Sequence, residues 1–264
     1  MRIRKIIKCI LPSFLLSGLE PYLRLRETRG RSGRKNINMF KRNFQKKSKL
    51  LADNRFSCNW EDIWVCLNDR TANTGFDYHY TYHTAWASRV LAKTMPQKHI
   101  DISSSIRFIT CISAFVPVEF YDYRPAQLNL SNLKTGFADV TKLPFDDDSI
   151  ESLSSMHVVE HIGLERYGDP FDPQGDLKAI SELQRVLMPD GNLLFVVPVG
   201  RQMRIQYNAH RIYTYDSIVS YFTQLKLLQF TLITDDGQYL ENSDGNAASK
   251  QNYGCGCFLF TKDR

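Results

Sequence analysis

The chain has 264 residues, 43% of them hydrophobic and 12% aromatic, enough apolar material for one sizeable core with extensions. Its net charge of +6 hides a division: residues 1–50 carry 15 Lys and Arg against 2 Asp and Glu, while the other 214 residues carry 19 against 26. A basic arm therefore precedes a mildly acidic body, which excludes a chain basic throughout, and no run of 18 apolar residues argues for a membrane-spanning helix.

In the arm, "MRIRKIIKCILPSFLLSG" sets Ile3, Ile6, Ile7, Ile10 and Phe14 at helical spacing, with Arg2, Arg4, Lys5 and Lys8 between them. Such a helix can rest on anionic lipid, with "RGRSGRK" and "KRNFQKKSK" adding charge. A solvated, partly disordered arm is the competing reading. A signal peptide fits less well, because Lys8 and Pro12 interrupt the apolar stretch and no A-x-A-like site follows. The charges are not interleaved with aromatics, so no nucleic-acid partner is expected. The six Cys, at 9, 58, 66, 111, 255 and 257, form no C-x-x-C pair. That spacing leads us to expect a reducing, cytoplasmic setting, no metal site and no disulfide framework. Peripheral contact with the inner face of the membrane is the only membrane association expected.

Residues 1–50 are read as the arm, 51–96 as a helical, aromatic-rich lead-in or lid, and 97–264 as an α/β domain. "TAWASRVLAK" has helical spacing, with Trp86, Val90 and Leu91 on one side. "HIDIS" reads as a strand and "IRFITCISAF" as the helix that returns the chain. Further strands are expected at 118–122, 133–140 and 149–158. "GDLKAISELQRVL", 175–187, is an amphipathic helix with Leu177, Ile180, Leu183, Val186 and Leu187 inward, and Asp172-Pro173 reads as its start. "PDG" at 189–191 is a turn. "GNLLFVVPV" is continuously apolar, as suits a strand covered on both faces. "LQFTLITDD" and "YGCGCFLFTK" end the chain as an antiparallel pair, with Cys255 and Cys257 on one face of the second. Strands alternating with helices predict a doubly wound, mainly parallel, seven-stranded sheet with helices on both faces.

Acids mark the strand ends. Asp101 closes the first strand and Asp122 the second, 21 residues later, near the spacing at which an acid meets a ribose hydroxyl. Asp139 follows the third, and the fourth runs into "SSMHVVEHIG". From "ADVTKLPFDDDSIESLSSMHVVEHI" to "ELQRVLMPDGNLLFVVP" the chain resembles the class I S-adenosylmethionine (SAM)-dependent methyltransferases, over roughly residues 97–262. With "DISSS" as loop and "GLERYGDPFDPQGD" after the fourth strand, it looks like a small subfamily labelled only as a domain of unknown function. The resemblance implies a Rossmann-like fold and SAM as cofactor. It also implies roles: Asp122 on the ribose diol, Asp139 facing the adenine amine or Val140 stacking on the ring, and Asp101 with Ser103, Ser104 and Ser105 beneath the methionine part. The chain departs from the family at that loop, where Ser103, Ser105 and Arg107 replace all three glycines of Gly-x-Gly-x-Gly. Glycine there permits positive φ and close backbone approach.

Methyl transfer needs an aligned nucleophile and, for a hydroxyl, a base. His157, at the fourth strand's end, is expected beside the methyl group. Glu160 and His210 are the other catalytic candidates, and His161 reads as packing. "DYHYTYHTAW" would form a substrate lid, so Tyr78, Tyr80, Tyr82 and His83, with Tyr167 and Arg211, are expected to meet the acceptor. Asp169, Asp172 and Asp176 raise the question of a metal, but Asp172 is explained as a cap. The acceptor is expected to be small or glycan-like and methylated on oxygen. A non-catalytic scaffold of the same fold, docked to a membrane-associated assembly, is the alternative. A dehydrogenase is disfavoured because no G-x-G-x-x-G follows a strand.

Overall fold

A computed structural model describes residues 31–53, 55–66 and 69–263. The apolar-basic stretch expected as an interfacial helix, residues 2–14, lies outside the described residues. The chain divides into two compact units, Met1–Gly75 and Phe76–Arg264. In the first, helix α1 (Arg31–Leu51) carries the whole "KRNFQKKSK" run. Phe44 meets the edge of Trp60 at 5.0 Å between ring centres, and Lys41 Nζ lies 6.0 Å over the same ring. No helix among the described residues is long and apolar enough to cross a membrane.

The second unit begins at Phe76 and its first helix is α2 (Tyr78–Thr94), so the lead-in expected at 51–96 is divided: residues 51–75 fall in the first unit and 76–96 in the second. Asp77 caps α2 by accepting from Tyr80 N at 3.0 Å. The helix buries Trp86, Ala87, Val90 and Leu91. Then follow β1 (His99–Ile102), α3 (Ile106–Ile112), β2 (Val118–Asp122), β3 (Leu133–Phe137) and β4 (Ile150–Met156). After a 3₁₀ turn at Val159–His161 come α4 (Gly175–Val186) and β5 (Leu187–Val199). The remainder is the hairpin β6 (Arg204–Gln206) and β7 (His210–Ile212), α5 (Tyr215–Tyr221), β8 (Leu225–Ile233), β9 (Tyr239–Leu240), α6 (Gly245–Ala248) and β10 (Gly254–Lys262).

The main sheet has eight strands in the order β3-β2-β1-β4-β5-β10-β8-β9. The strands β3 to β5 run parallel, while β10 is antiparallel to both β5 and β8. The eighth strand, absent from the sequence expectation, is the two-residue edge β9. Along β5 the side chains alternate between two cores. Leu193, Phe195, Val197 and Val199 join α4 and α5 on one face. Leu194 and Val196 join α2 and α3 on the other. That two-sided burial is why the strand reads as one apolar run.

Three expectations shift. β3 ends at Phe137 rather than 140, because Asp139 leaves the ladder to bridge Lys142. Asp172 is not the helix cap; its carboxylate accepts from Gln174 N at 3.0 Å and its carbonyl from Gly175 N at 3.0 Å, a turn that delays the helix to Gly175. The Pro189-Asp190-Gly191 turn lies inside β5 as an irregularity, where Ile150 pairs Leu187 but Ser152 pairs Asn192, with Asp190 at φ 60°.

Beneath the sheet's switch point lies a buried polar chain. His99 Nδ1 and Nε2 meet Ser152 Oγ and Ser154 Oγ, each at 2.8 Å, and Ser154 donates on to Asp101. Since Ser154 donates to Asp101, His99 donates to it through Nε2–H, and burial keeps the ring neutral. Burial pushes His99 down to about 3. Burial pushes Asp101 up to about 6 against the hydrogen bonds from Ser154 and Ser104. The signs oppose. Below pH of about 6.5 the unfolded chain protonates His99 and the folded one does not, so stability falls with pH; Asp101, protonated first in the fold, gives the reverse below about 6. In His99→Gln only the Asp101 effect remains. Urea midpoints between pH 6.5 and 4.5 are expected to show wild type losing about 1.4 kcal/mol per pH unit relative to the variant. Parallel pH profiles would contradict this assignment.

Candidate functional site

A cleft of about 480 Å³ opens at the carboxyl ends of β1 to β4, where the strand order reverses. That switch point is where open α/β sheets leave room for a ligand. Ser103, Ser104 and Ser105 line it, with Asp122, Arg124, Asp139, Val140 and several residues of the segment 162–175. Phe120, Ala138 and Met156 make the wall apolar between the polar groups.

The serine turn takes the backbone course that its missing glycines would favour. Ser103 has φ 58°, a left-handed conformation that costs a non-Gly residue about 1–2 kcal/mol. It is held there by its N–H, which donates to Tyr121 O at 2.8 Å, and by its hydroxyl on the same carbonyl at 3.3 Å. Ser104 Oγ accepts from Met156 N at 3.0 Å. Both hydroxyls are thus turned to the protein. Asp122 accepts from Arg124 N at 2.6 Å, and Asp139 accepts from Thr141 N and Oγ1 at 2.8 and 2.7 Å. These local turns fix where the two carboxylates stand on the cleft walls.

Four expected site residues lie elsewhere. Asp101 is wholly buried behind the wall, accepting from Ser104 N at 3.0 Å, and so shapes the loop without facing the cleft. Tyr82 packs between Phe76 and Tyr239. His83 is buried, with Nδ1 donating to His79 O at 2.7 Å. Arg211 is buried against Asp176 at 3.4 Å and donates to Ile162 O and Pro173 O, which makes it a pin for the 162–175 segment.

A second hollow, about 470 Å³, adjoins the first; Tyr80, His157 and His161 line both. Tyr78, His79, Glu160, Arg166, His210 and Tyr253 also line it, with Phe76, Asp77 and Ala209. His157 leaves β4 with φ 56°. Its Nδ1 meets Glu160 Oε1 at 2.8 Å and its Nε2 meets Cys255 Sγ at 3.4 Å. Burial opposes a charge on His157, yet the Cys255 sulfur and Glu160 outweigh it and raise it above its ordinary value. Burial also raises the Cys255 thiol well above its ordinary value, so near neutral pH the charge that holds the proton on His157 is Glu160's. With both ring nitrogens engaged, His157 does not present a free lone pair. His210 does: burial lowers it, and its buried Nε2 has no partner. His161 donates through Nδ1 to Ala209 O at 2.7 Å while its ring borders both hollows.

Sequence reasoning did not single out His79, Tyr253, Arg124 or Arg166. His79 stacks on His157 at 5.7 Å and on Tyr253 at 5.0 Å, and Tyr253 stacks on His210 at 5.1 Å. Burial lowers His79 to about 4. Arg124 and Arg166 lie 4.6 and 5.0 Å from the Tyr167 ring, which closes the cleft's outer rim. The aromatic run 77–86 was the available signal for His79; which of its side chains enter the hollow depends on the helical turn that Asp77 starts.

The eight-stranded order, the antiparallel β10 and the cleft at the switch point together define the class I SAM-dependent methyltransferase fold. Residues 129–237 match the family model described as "Caenorhabditis protein of unknown function, DUF268". Among solved structures the chain is similar to the Burkholderia thailandensis 1,6-didemethyltoxoflavin-N1-methyltransferase, crystallised with 1,6-didemethyltoxoflavin and S-adenosylhomocysteine. The two are 11% identical with a TM-score of 0.51, over 69% of this chain and 79% of that one. It is also similar to the [4+2]-cyclase SpnF, at 12% identity and a TM-score of 0.51, over 73% of this chain and 86% of that one. No curated protein matches the sequence. A methyltransferase and a cyclase on one fold show that the fold alone does not name the reaction.

Proposed function

We propose that this chain is a SAM-dependent methyltransferase that binds its cofactor in the switch-point cleft and a small or glycan-like hydroxyl acceptor in the adjoining hollow. The observation that carries the reading is the continuity of the two hollows through Tyr80, His157 and His161. SAM, when bound, supplies a methyl group activated on a sulfonium. The cleft's volume is within the usual range for a ligand site, and its carboxylates and apolar walls fit such a group. Asp122 offers paired acceptor oxygens to a ribose diol, and Val140, with Ala138 beside it, an apolar surface for the adenine. Tyr80 and Tyr253 suit the face of a sugar or planar ring. His210, neutral and with its Nε2 unpartnered, takes the acceptor hydroxyl's proton.

Calorimetric titration tests this. SAM and S-adenosylhomocysteine are expected to bind the wild type, and Asp122→Ala to weaken binding at least tenfold, about 1.4 kcal/mol. Equal affinity in the variant would remove Asp122 from the site. The strained, glycine-free turn at Ser103 favours one other reading, a non-catalytic scaffold; absence of SAM binding by the wild type would select it.

A further inference from the structure

Five of the six histidines gather around the second hollow. Among the described residues, ligand atoms of His79, His157 and Cys255 lie within 4.8 Å of one another. They come from three separate elements: the first turn of α2, the residue after β4, and the start of β10. We propose that these three side chains form a site for a borderline-soft divalent ion, zinc foremost, with an open position facing the hollow.

The geometry is close to what such an ion needs. Tetrahedral bonds of about 2.0–2.3 Å place ligand atoms about 3.3–3.6 Å apart. The His157 Nε2 to Cys255 Sγ edge is already 3.4 Å. The remaining edges close if the half-buried His79 ring, which stacks on His157 and Tyr253, shifts by about an ångström toward the sulfur. Two imidazoles with a thiolate select zinc-like ions over magnesium or calcium, which take oxygen ligands. Three protein ligands with one position open is the pattern of a zinc ion that acts on a substrate, since structural sites are closed.

The surroundings supply what lies behind the ligands of such sites. Glu160 Oε1 at 2.8 Å from His157 Nδ1 holds the ring so that Nε2 points at the sulfur, the carboxylate–histidine arrangement that orients metal ligands. The main chain of Tyr253 hydrogen-bonds the His79 ring. Charge closes as well: the ion's two positive charges meet one thiolate and the buried Glu160 carboxylate, so the cluster is neutral once the ion replaces the protons on Cys255 and His157. Two further polar atoms beside the cluster have no partner: Glu160 Oε2, and Nε2 of His83, whose ring lies 5.0 Å from that of His157. Both side chains are at most 1% exposed. Orphaned buried polar atoms are destabilising without a partner, and an ion with a bound water would bring charge and donors to this cluster.

The ion's use depends on the methyltransferase reading; its binding does not. In that reaction an acceptor hydroxyl would take the open position, and the ion would ease its loss of a proton to His210.

The test uses the full chain, reduced, stripped of metal and titrated with cobalt(II) and zinc(II). One equivalent of cobalt is expected to bind with a cobalt–thiolate charge-transfer band in the near ultraviolet, to be displaced by zinc, and to be unaffected by magnesium. Cys255→Ser should abolish the band. His79→Ala leaves every thiol in place and alters a half-buried residue, so it guards against misfolding; it should weaken cobalt binding at least tenfold. Cys257→Ser should keep the band. Failure of the wild type to bind one equivalent, or unchanged affinity in His79→Ala, would overturn the proposal, the latter by moving the metal to other thiols. SAM titration of the same metal-free samples reports separately on the methyltransferase reading.

Discussion

Gly163→Ala is expected to destabilise the second unit by at least about 3 kcal/mol, placing it in the tail of single-substitution effects. Gly163 has φ 77°, and a Cβ there would stand 2.0 Å from Asp172 O. Nothing nearby can give way cheaply. Gly163 N donates to Asp169 Oδ2 at 2.7 Å, its carbonyl accepts from Asp172 N at 3.0 Å, and the Asp172 carbonyl accepts from Gly175 N at 3.0 Å. The clash is between two main-chain segments of one closed loop, so the loop must open. Since Gly163, Asp169 and Asp172 line the cleft, SAM affinity should fall with stability. For a domain of this size, 3 kcal/mol corresponds to a melting temperature lower by about 6–12 °C. Gly168→Ala is the control: its φ is 87°, yet a Cβ there meets nothing within 4 Å. It carries only the backbone strain, about 1–2 kcal/mol. Equal melting temperatures for the two variants would refute the steric argument.

Arg211→Ala is expected to cost about 3–5 kcal/mol, the range for breaking a buried ion pair from one side. Arg211 and Asp176 side chains are each 8% exposed. Removal of the guanidinium leaves Asp176 with the Tyr213 hydroxyl at 2.9 Å and strips Ile162 O and Pro173 O of their donors. The penalty is mainly that of an uncompensated buried carboxylate. The double variant Arg211→Met, Asp176→Leu removes both charges while keeping most of the volume, and should recover more than half of the loss. Urea denaturation of single and double variants decides the matter; a double variant as unstable as Arg211→Ala would place the effect in lost packing instead. Because Ile162 and Pro173 flank the cleft loop, the single variant should also bind SAM less tightly.

These two residues show how much of the site the sequence made legible. Arg211, expected to meet the acceptor, is turned inward by the β7 register, against Asp176 at the start of α4. The resemblance sets Asp122 and Asp139 at a cofactor site, and both line the cleft because strand ends in a parallel sheet fall on one edge. Asp101 obeys the same spacing and is nevertheless buried, because Ser104 and Ser154 surround its carboxylate. The serine turn was recognised as a glycine loop without glycines; that its hydroxyls bond Tyr121 O and Met156 N required the neighbouring strands.

The sequence by itself determined the order of strands and helices from α2 to β5, the two-sided burial of β5 and the edge on which a ligand would sit. Those features follow from periodicity and length, which are local. Only the tertiary structure decided which polar side chains meet. His79, His157 and Cys255 are far apart in the chain, and a repeat of 2 or 3.6 residues says whether a side chain faces inward, never what it faces. Their convergence arises where the first turns of α2 meet His157 and α2 packs against β10, a contact that no local pattern encodes.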